Sequence, residues 1–153
     1  MLRSFRGQGD AFMILIGSII GVLILAIILG VIASFEKTEC DSSIHTVYER
    51  FRTAVNLPTG EIISQKNLHF CTGNIFTRKS FGATEGLDDD CVILDGTPGR
   101  QLVVESPFSV SFQSSLRADV YFACAKPPYP DGYPIPATAC RLACWIGFNK
   151  SRP

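Results

Sequence analysis

The sequence predicts an α+β protein: a long N-terminal hydrophobic helix of transmembrane length, then a small, mostly antiparallel β-sheet domain with disulfides. Three observations predict it. Ala11 to Ser34 carries no charged side chain and is built mainly from Ile, Leu, Val and Ala. All 6 cysteines lie beyond that stretch. Past Gly60 the apolar residues change from helical spacing to short alternating runs.

The apolar stretch comes first. A helix rises about 1.5 Å per residue and a bilayer core takes about 20 apolar residues to cross. Ala11–Ser34 meets that length. A core helix of a soluble protein this long would normally carry polar residues on one face. Arg3 and Arg6 precede the stretch, with Asp10 the one acid before it, and Glu36, Lys37, Glu39 and Asp41 follow it. Basic residues on the N-terminal side favour a cytoplasmic N-terminus and place the remainder outside the membrane. A cleaved secretory signal ending near Val31-Ile32-Ala33 fits less well, because its apolar region runs to only about 7–15 residues.

Glu36 to Asn56 continues as an amphipathic helix. Ile44, Val47, Tyr48, Phe51, Ala54 and Val55 recur at three- and four-residue spacing, with Glu49, Arg50 and Arg52 on other faces. Asp41-Ser42-Ser43 is a candidate break and restart with a capping side chain. Pro58 and Gly60 end the helix.

The remainder reads as strands. Glu61-Ile62-Ile63 and Asn67 to Cys71 are two short ones, with Thr72-Gly73-Asn74 a turn. Cys91 to Leu94 and Gln101 to Glu105 flank Asp95-Gly96-Thr97-Pro98-Gly99-Arg100, a hairpin pattern. Phe108, Val110 and Phe112 alternate with Ser109, Ser111 and Gln113. Asp119 to Ala125 places Val120 and Phe122 on one face, and Cys140 to Phe148 is the last strand.

The cysteines Cys40, Cys71, Cys91, Cys124, Cys140 and Cys144 form an even set in a domain expected outside the cell, and read as disulfides whose pairing the sequence leaves open. On one strand, Cys140 and Cys144 would stand about 13 Å apart at about 3.3 Å per residue. A disulfide needs Cα atoms within about 7 Å, so the two are expected to take different partners. A metal site is not expected: there is no CxxC, and His45 and His69 lack zinc-like spacing to any cysteine and have no assigned partners. Glu85, Asp88, Asp89 and Asp90 cluster without the spaced Asp-x-Asp-x-Asp-Gly of a calcium loop, so a solvated turn is expected there. Lys126 to Pro136 is proline-rich, which rules out a regular element and displays Tyr129 and Tyr133 on a stiff loop. That loop is either a contact surface for adhesion or an ordinary connection tied by Cys124 and Cys140.

Charge balances at 14 basic and 14 acidic side chains, which gives no electrostatic footprint for nucleic acid. No GxSxG, HExxH or phosphate-binding glycine loop is present, and the reading is of a protein that is not an enzyme and holds no cofactor.

Arg6-Gly7-Gln8-Gly9-Asp10, leading straight into the apolar helix, resembles the class III signal peptide of archaeal type IV pilin-like proteins. The resemblance covers residues 1–35. It implies that a prepilin peptidase cuts between Gly7 and Gln8 and that the helix stays on the mature protein. Residues 1–7 would then be a leader, 8–35 the transmembrane and filament-core helix, 36–56 its amphipathic continuation and 57–153 an extracellular head. Ile16-Gly17-Ser18 resembles the small-residue step of these helices. Many such pilins carry a Glu at mature position five to pair with a neighbour's terminal amine. Here that position is Phe12, and Asp10 is the nearest acid.

Gly17 and Gly21 form a GxxxG, continued by Ala26, Gly30 and Ala33, and small residues let helices approach closely in lipid. The expected partners are further copies of the chain or other pilins, the peptidase and the membrane. The alternative is an uncleaved single-pass membrane protein whose disulfide-stabilised exterior binds a ligand or partner. An anchored enzyme would need a pocket with convergent polar groups.

Overall fold

The computed structural model describes residues 6–134 and 139–150, with side chains described for 12–134 and 139–149. The chain divides into two compact units, Met1–Thr38 and Glu39–Pro153. One helix, α1, runs Arg6–Asn56. No proline interrupts it before Pro58, whose ring removes a donor and disfavours helix in the residue before it.

The expected break at Asp41-Ser42-Ser43 does not occur. Ser43 turns inward, buried, and its Oγ accepts the His69 backbone N–H at 3.1 Å. Its hydroxyl therefore serves a neighbouring strand instead of capping a new helix. The expected stripe is present: Val47, Phe51 and Ala54 are buried, with Ile44, Tyr48 and Val55 partly so, and Cys40 and Ser43 extend it by one turn.

Among the described residues, seven strands and a second, short α-helix follow. They are β1 Ile63–Phe70, β2 Ile75–Thr77, α2 Arg78–Glu85, β3 Val92–Gly96, β4 Leu102–Glu105, β5 Ser109–Phe112, β6 Leu116–Ala125 and β7 Ala143–Lys150. A four-stranded sheet runs β1-β6-β7-β3 and a three-stranded sheet runs β2-β5-β4. The fold is α+β, as expected, and every strand pair is antiparallel except β3 with β7.

Four local expectations are corrected. β3 and β4 do not form a hairpin: β3 lies parallel to β7, and β4 pairs with β5 in the other sheet. Gly96 permits this, because a Cβ there would stand 2.6 Å from the Phe148 carbonyl oxygen; Thr97 N–H then bonds that oxygen at 3.1 Å. The two short strands around residues 61–71 are one strand, with its register broken between Gln65 and Leu68. Asn67 sits at φ 61 in that bulge, a conformation Asn tolerates better than most residues, and its N–H bonds Asp119 Oδ1 at 2.8 Å. Cys140 precedes β7 instead of opening it. Phe108 does not share the buried face of Val110 and Phe112; it is 53% exposed, beneath the Arg78 guanidinium at 4.6 Å.

α2 has no counterpart in the sequence reading. Thr77 and Ser80 cap it reciprocally and Gly86 closes it at φ 68. Its Phe81 joins the core, where rings pack at aromatic contact distance: Phe70–Phe112 at 4.5 Å, Phe51–Phe81 at 5.0 Å and Phe76–Phe148 at 5.3 Å.

Candidate functional site

The first unit presents one continuous apolar surface. Every side chain from Phe12 to Glu39 is exposed, and among the described residues α1 is the one helix long and apolar enough to cross a membrane. Its hydroxyls are already satisfied along the helix. Ser18 Oγ donates to Leu15 O at 2.8 Å, and Ser34 Oγ to Gly30 O at 2.9 Å. A segment in lipid needs this internal satisfaction, because no water is there to substitute. Gly17, Gly21 and Gly30 have no neighbouring atom within 4 Å of where a Cβ would stand.

Gly7, Gln8 and Asp10 belong to the backbone of α1, but the Gln8 and Asp10 side chains lie outside the described residues, as do residues 1–5.

In the second unit the six cysteines pair Cys40–Cys71, Cys91–Cys140 and Cys124–Cys144. Cys140 and Cys144 take different partners, as expected, although Cys140 is not on the strand. Cys124 and Cys144 face each other across β6 and β7 with Cα atoms 4.1 Å apart. Cys40–Cys71 ties α1 to the end of β1. Beside it Glu39 takes two partners, Arg117 Nη2 at 2.8 Å and His69 Nδ1 at 3.1 Å. His69, which had no partner in the sequence reading, thus helps hold the helix to the sheet.

Two members of the acidic cluster meet arginines, Glu85 with Arg52 at 3.3 Å and Asp90 with Arg78 at 2.9 Å. Among the described residues no group of three or more His, Cys, Asp or Glu is placed to hold a metal ion.

The proline-rich loop corrects a further expectation. Tyr129 and Tyr133 are not displayed; both are half-buried against Cys91, Cys140 and Ala143. Their rings stack at 5.7 Å, and Tyr129 donates to Cys140 O at 3.1 Å. The Tyr133 hydroxyl lies 2.7 Å from the carbonyl oxygens of both Ala123 and Ala143. Burial pushes this phenol up to about 12, against backbone hydrogen bonds from Trp145 and Ala125 that favour the charged form. Pro136 lies outside the described residues.

The sequence reading passed over Trp145. Its indole lies over Gly147 on the face of the four-stranded sheet away from the core, so close that a Cβ on Gly147 would meet it at 2.6 Å. The aromatic–x–Gly alternation within a strand was the available signal.

No protein-family model, curated protein or solved structure matches this chain.

Proposed function

We propose that the chain is the structural subunit of a type IV pilus-like surface filament, polymerising through its N-terminal hydrophobic helix. The observation that carries this reading is the bare apolar surface of Phe12–Phe35 together with internally bonded hydroxyls. Such a surface suits lipid first and neighbouring copies of the same helix afterwards. Removing it from water is favourable by roughly 25 cal/mol per Å² of apolar area. The Arg6-Gly7-Gln8 step supports processing that keeps the helix, and the open glycines support close helix contacts. In this reading the N-terminus is cytoplasmic, a prepilin peptidase removes residues 1–7, and the disulfide-tied second unit faces outside for adhesion or surface contacts.

One observation favours the alternative, an uncleaved single-pass membrane protein whose exterior binds a ligand or partner. Phe12 stands where many such pilins carry the Glu that pairs with a neighbouring amine. Sequencing the N-terminus of the protein from its native membrane separates the two. The pilin reading expects chains beginning at Gln8; recovery only of chains beginning at Met1 overturns it.

A further inference from the structure

The outer face of the four-stranded sheet carries a row that the core does not use. Register places Ala123 opposite Trp145, and Trp145 opposite Ile93. The next row on that face is Tyr121, Gly147 and Asp95. Gly147 supplies no side chain, so the far end of the Trp145 ring occupies the space over it, and Trp145 lines a hollow on that side. The hollow, about 430 Å³, is lined by Ile62, Trp145 and Tyr133 together with Asp95 and Asp131. That volume lies within the usual range of small-ligand sites.

Its charge is one-sided. Asp95 and Asp131 line the hollow, and among the described residues no Lys, Arg or His does. Asp95 Oδ1 accepts the Gly96 N–H at 2.8 Å, which leaves its other oxygen for a donor. Ile62 is 65% exposed, an apolar wall without a cover.

The chain shows elsewhere what such groups take. The Arg78 guanidinium lies 4.6 Å over the Phe108 ring while its Nη1 meets Asp90 Oδ1 at 2.9 Å. There an aromatic face and a carboxylate together hold an arginine. The hollow at Trp145 offers the same pair of groups, with a better ring for a cation and a second carboxylate.

We propose that this hollow is a binding site for an arginine side chain presented by a partner peptide. A guanidinium suits it better than an ammonium, because its planar fork stacks on an aromatic face and bonds carboxylates with several donors. The alkyl stem would lie along Ile62. The inference stands apart from the filament reading, since it uses only the second unit.

Trp145 is the chain's 1 tryptophan, so its fluorescence reports on this hollow alone. The full-length protein in a non-ionic detergent is titrated with the tripeptide Gly-Arg-Gly and with its neutral citrulline counterpart. The arginine peptide is expected to give a saturable change that weakens with added salt. The citrulline peptide should bind at least about fivefold more weakly, given the loss of cation–ring attraction and ion pairing. Asp131→Asn and Asp95→Asn should each weaken the arginine peptide about threefold, with an unchanged spectrum of the free protein showing that the fold is intact. Equal responses to the two peptides, no saturable response, or saturation by a neutral oligosaccharide in place of the arginine peptide would each overturn the assignment.

Discussion

Glu39 of α1 and Arg117 of β6, 78 positions apart in sequence, meet at 2.8 Å. The Cys40–Cys71 disulfide stands next to this contact and joins the same helix to the neighbouring strand. The two ties differ in strength. Both charged side chains are about half exposed, 48% for Glu39 and 50% for Arg117, so water and salt screen the pair. Glu39→Ala is therefore expected to cost less than about 1 kcal/mol. The disulfide closes a separation of 31 residues, and replacing both cysteines by Ser should cost about 3–4 kcal/mol by the chain-entropy estimate. Denaturant unfolding of the two variants gives the order; a Glu39→Ala loss as large as the disulfide's would contradict it.

Two glycines on neighbouring strands test how close approach is used. A Cβ on Gly96 would meet the Phe148 carbonyl at 2.6 Å, and a backbone oxygen in a sheet has nowhere to go. Gly96→Ala should cost about 1–3 kcal/mol through displacement of β3 from β7. A Cβ on Gly147 would also meet an atom at 2.6 Å, but that atom is at the far end of the partly buried Trp145 ring. The ring can lift toward water. Gly147→Ala should cost only about 1 kcal/mol and shift the tryptophan emission to longer wavelength. An unshifted emission would mean that the indole does not rest on Gly147.

Tyr133 links the proline-rich loop to the sheet, and its proton is part of the link. The folded phenol titrates at about 12 against an ordinary 10.0, chiefly because of burial. The folded state therefore holds this proton more tightly than the unfolded chain does. The resulting stabilisation is fully present below about pH 10 and is lost as pH rises through about 12. Tyr133→Phe removes the titrating group, so its loss of stability over that window should be shallower than that of the unaltered protein. The comparison is read from unfolding midpoints across the alkaline range. Parallel curves would show that Tyr133 is not the group responsible.

Much of this architecture was legible because it rests on spacing. The α1 stripe through Val47, Phe51 and Ala54 follows from helical period, and the Val120 and Phe122 face of β6 from alternation. The divergent pairing of Cys140 and Cys144 followed from reach. What was not legible depends on contacts between distant segments. The Asp95-Gly96 and Pro98-Gly99 pattern carries a hairpin signal, but β3 finds a better partner in β7, some fifty residues later (Leu94 faces Ile146). Ser43 looks like a cap until His69 claims its hydroxyl. Tyr129 and Tyr133 belong to a loop by composition, yet their hydroxyls find backbone carbonyls near the Cys91–Cys140 bridge. At the candidate assembly site the legible part is the apolar run and its glycines. Which face of that helix would meet another copy depends on the surface of a second chain as well.

Gly17 and Gly21 provide the means to ask that last question. Neither has an atom within 4 Å of where its Cβ would be, so a leucine at either position meets no neighbour in the single chain. Replacement by a strong helix former also removes the propensity cost of glycine, about 1 kcal/mol per position. Gly17→Leu and Gly21→Leu should therefore leave the second unit's unfolding midpoint and disulfides unchanged. Between closely packed helices, however, each added side chain would hold two backbones apart and forfeit contacts along the whole crossing. If copies of the chain assemble through this face, the double variant should lower filament yield by about an order of magnitude, as counted by electron microscopy of sheared cell-surface material. Gly30→Leu, nine residues and so about two and a half turns beyond Gly21, tests the opposite side of the same helix. Filaments formed at normal yield by the double variant would remove the Gly17 and Gly21 face from the assembly, and would leave Phe12 and the large apolar side chains around it to make the contact instead.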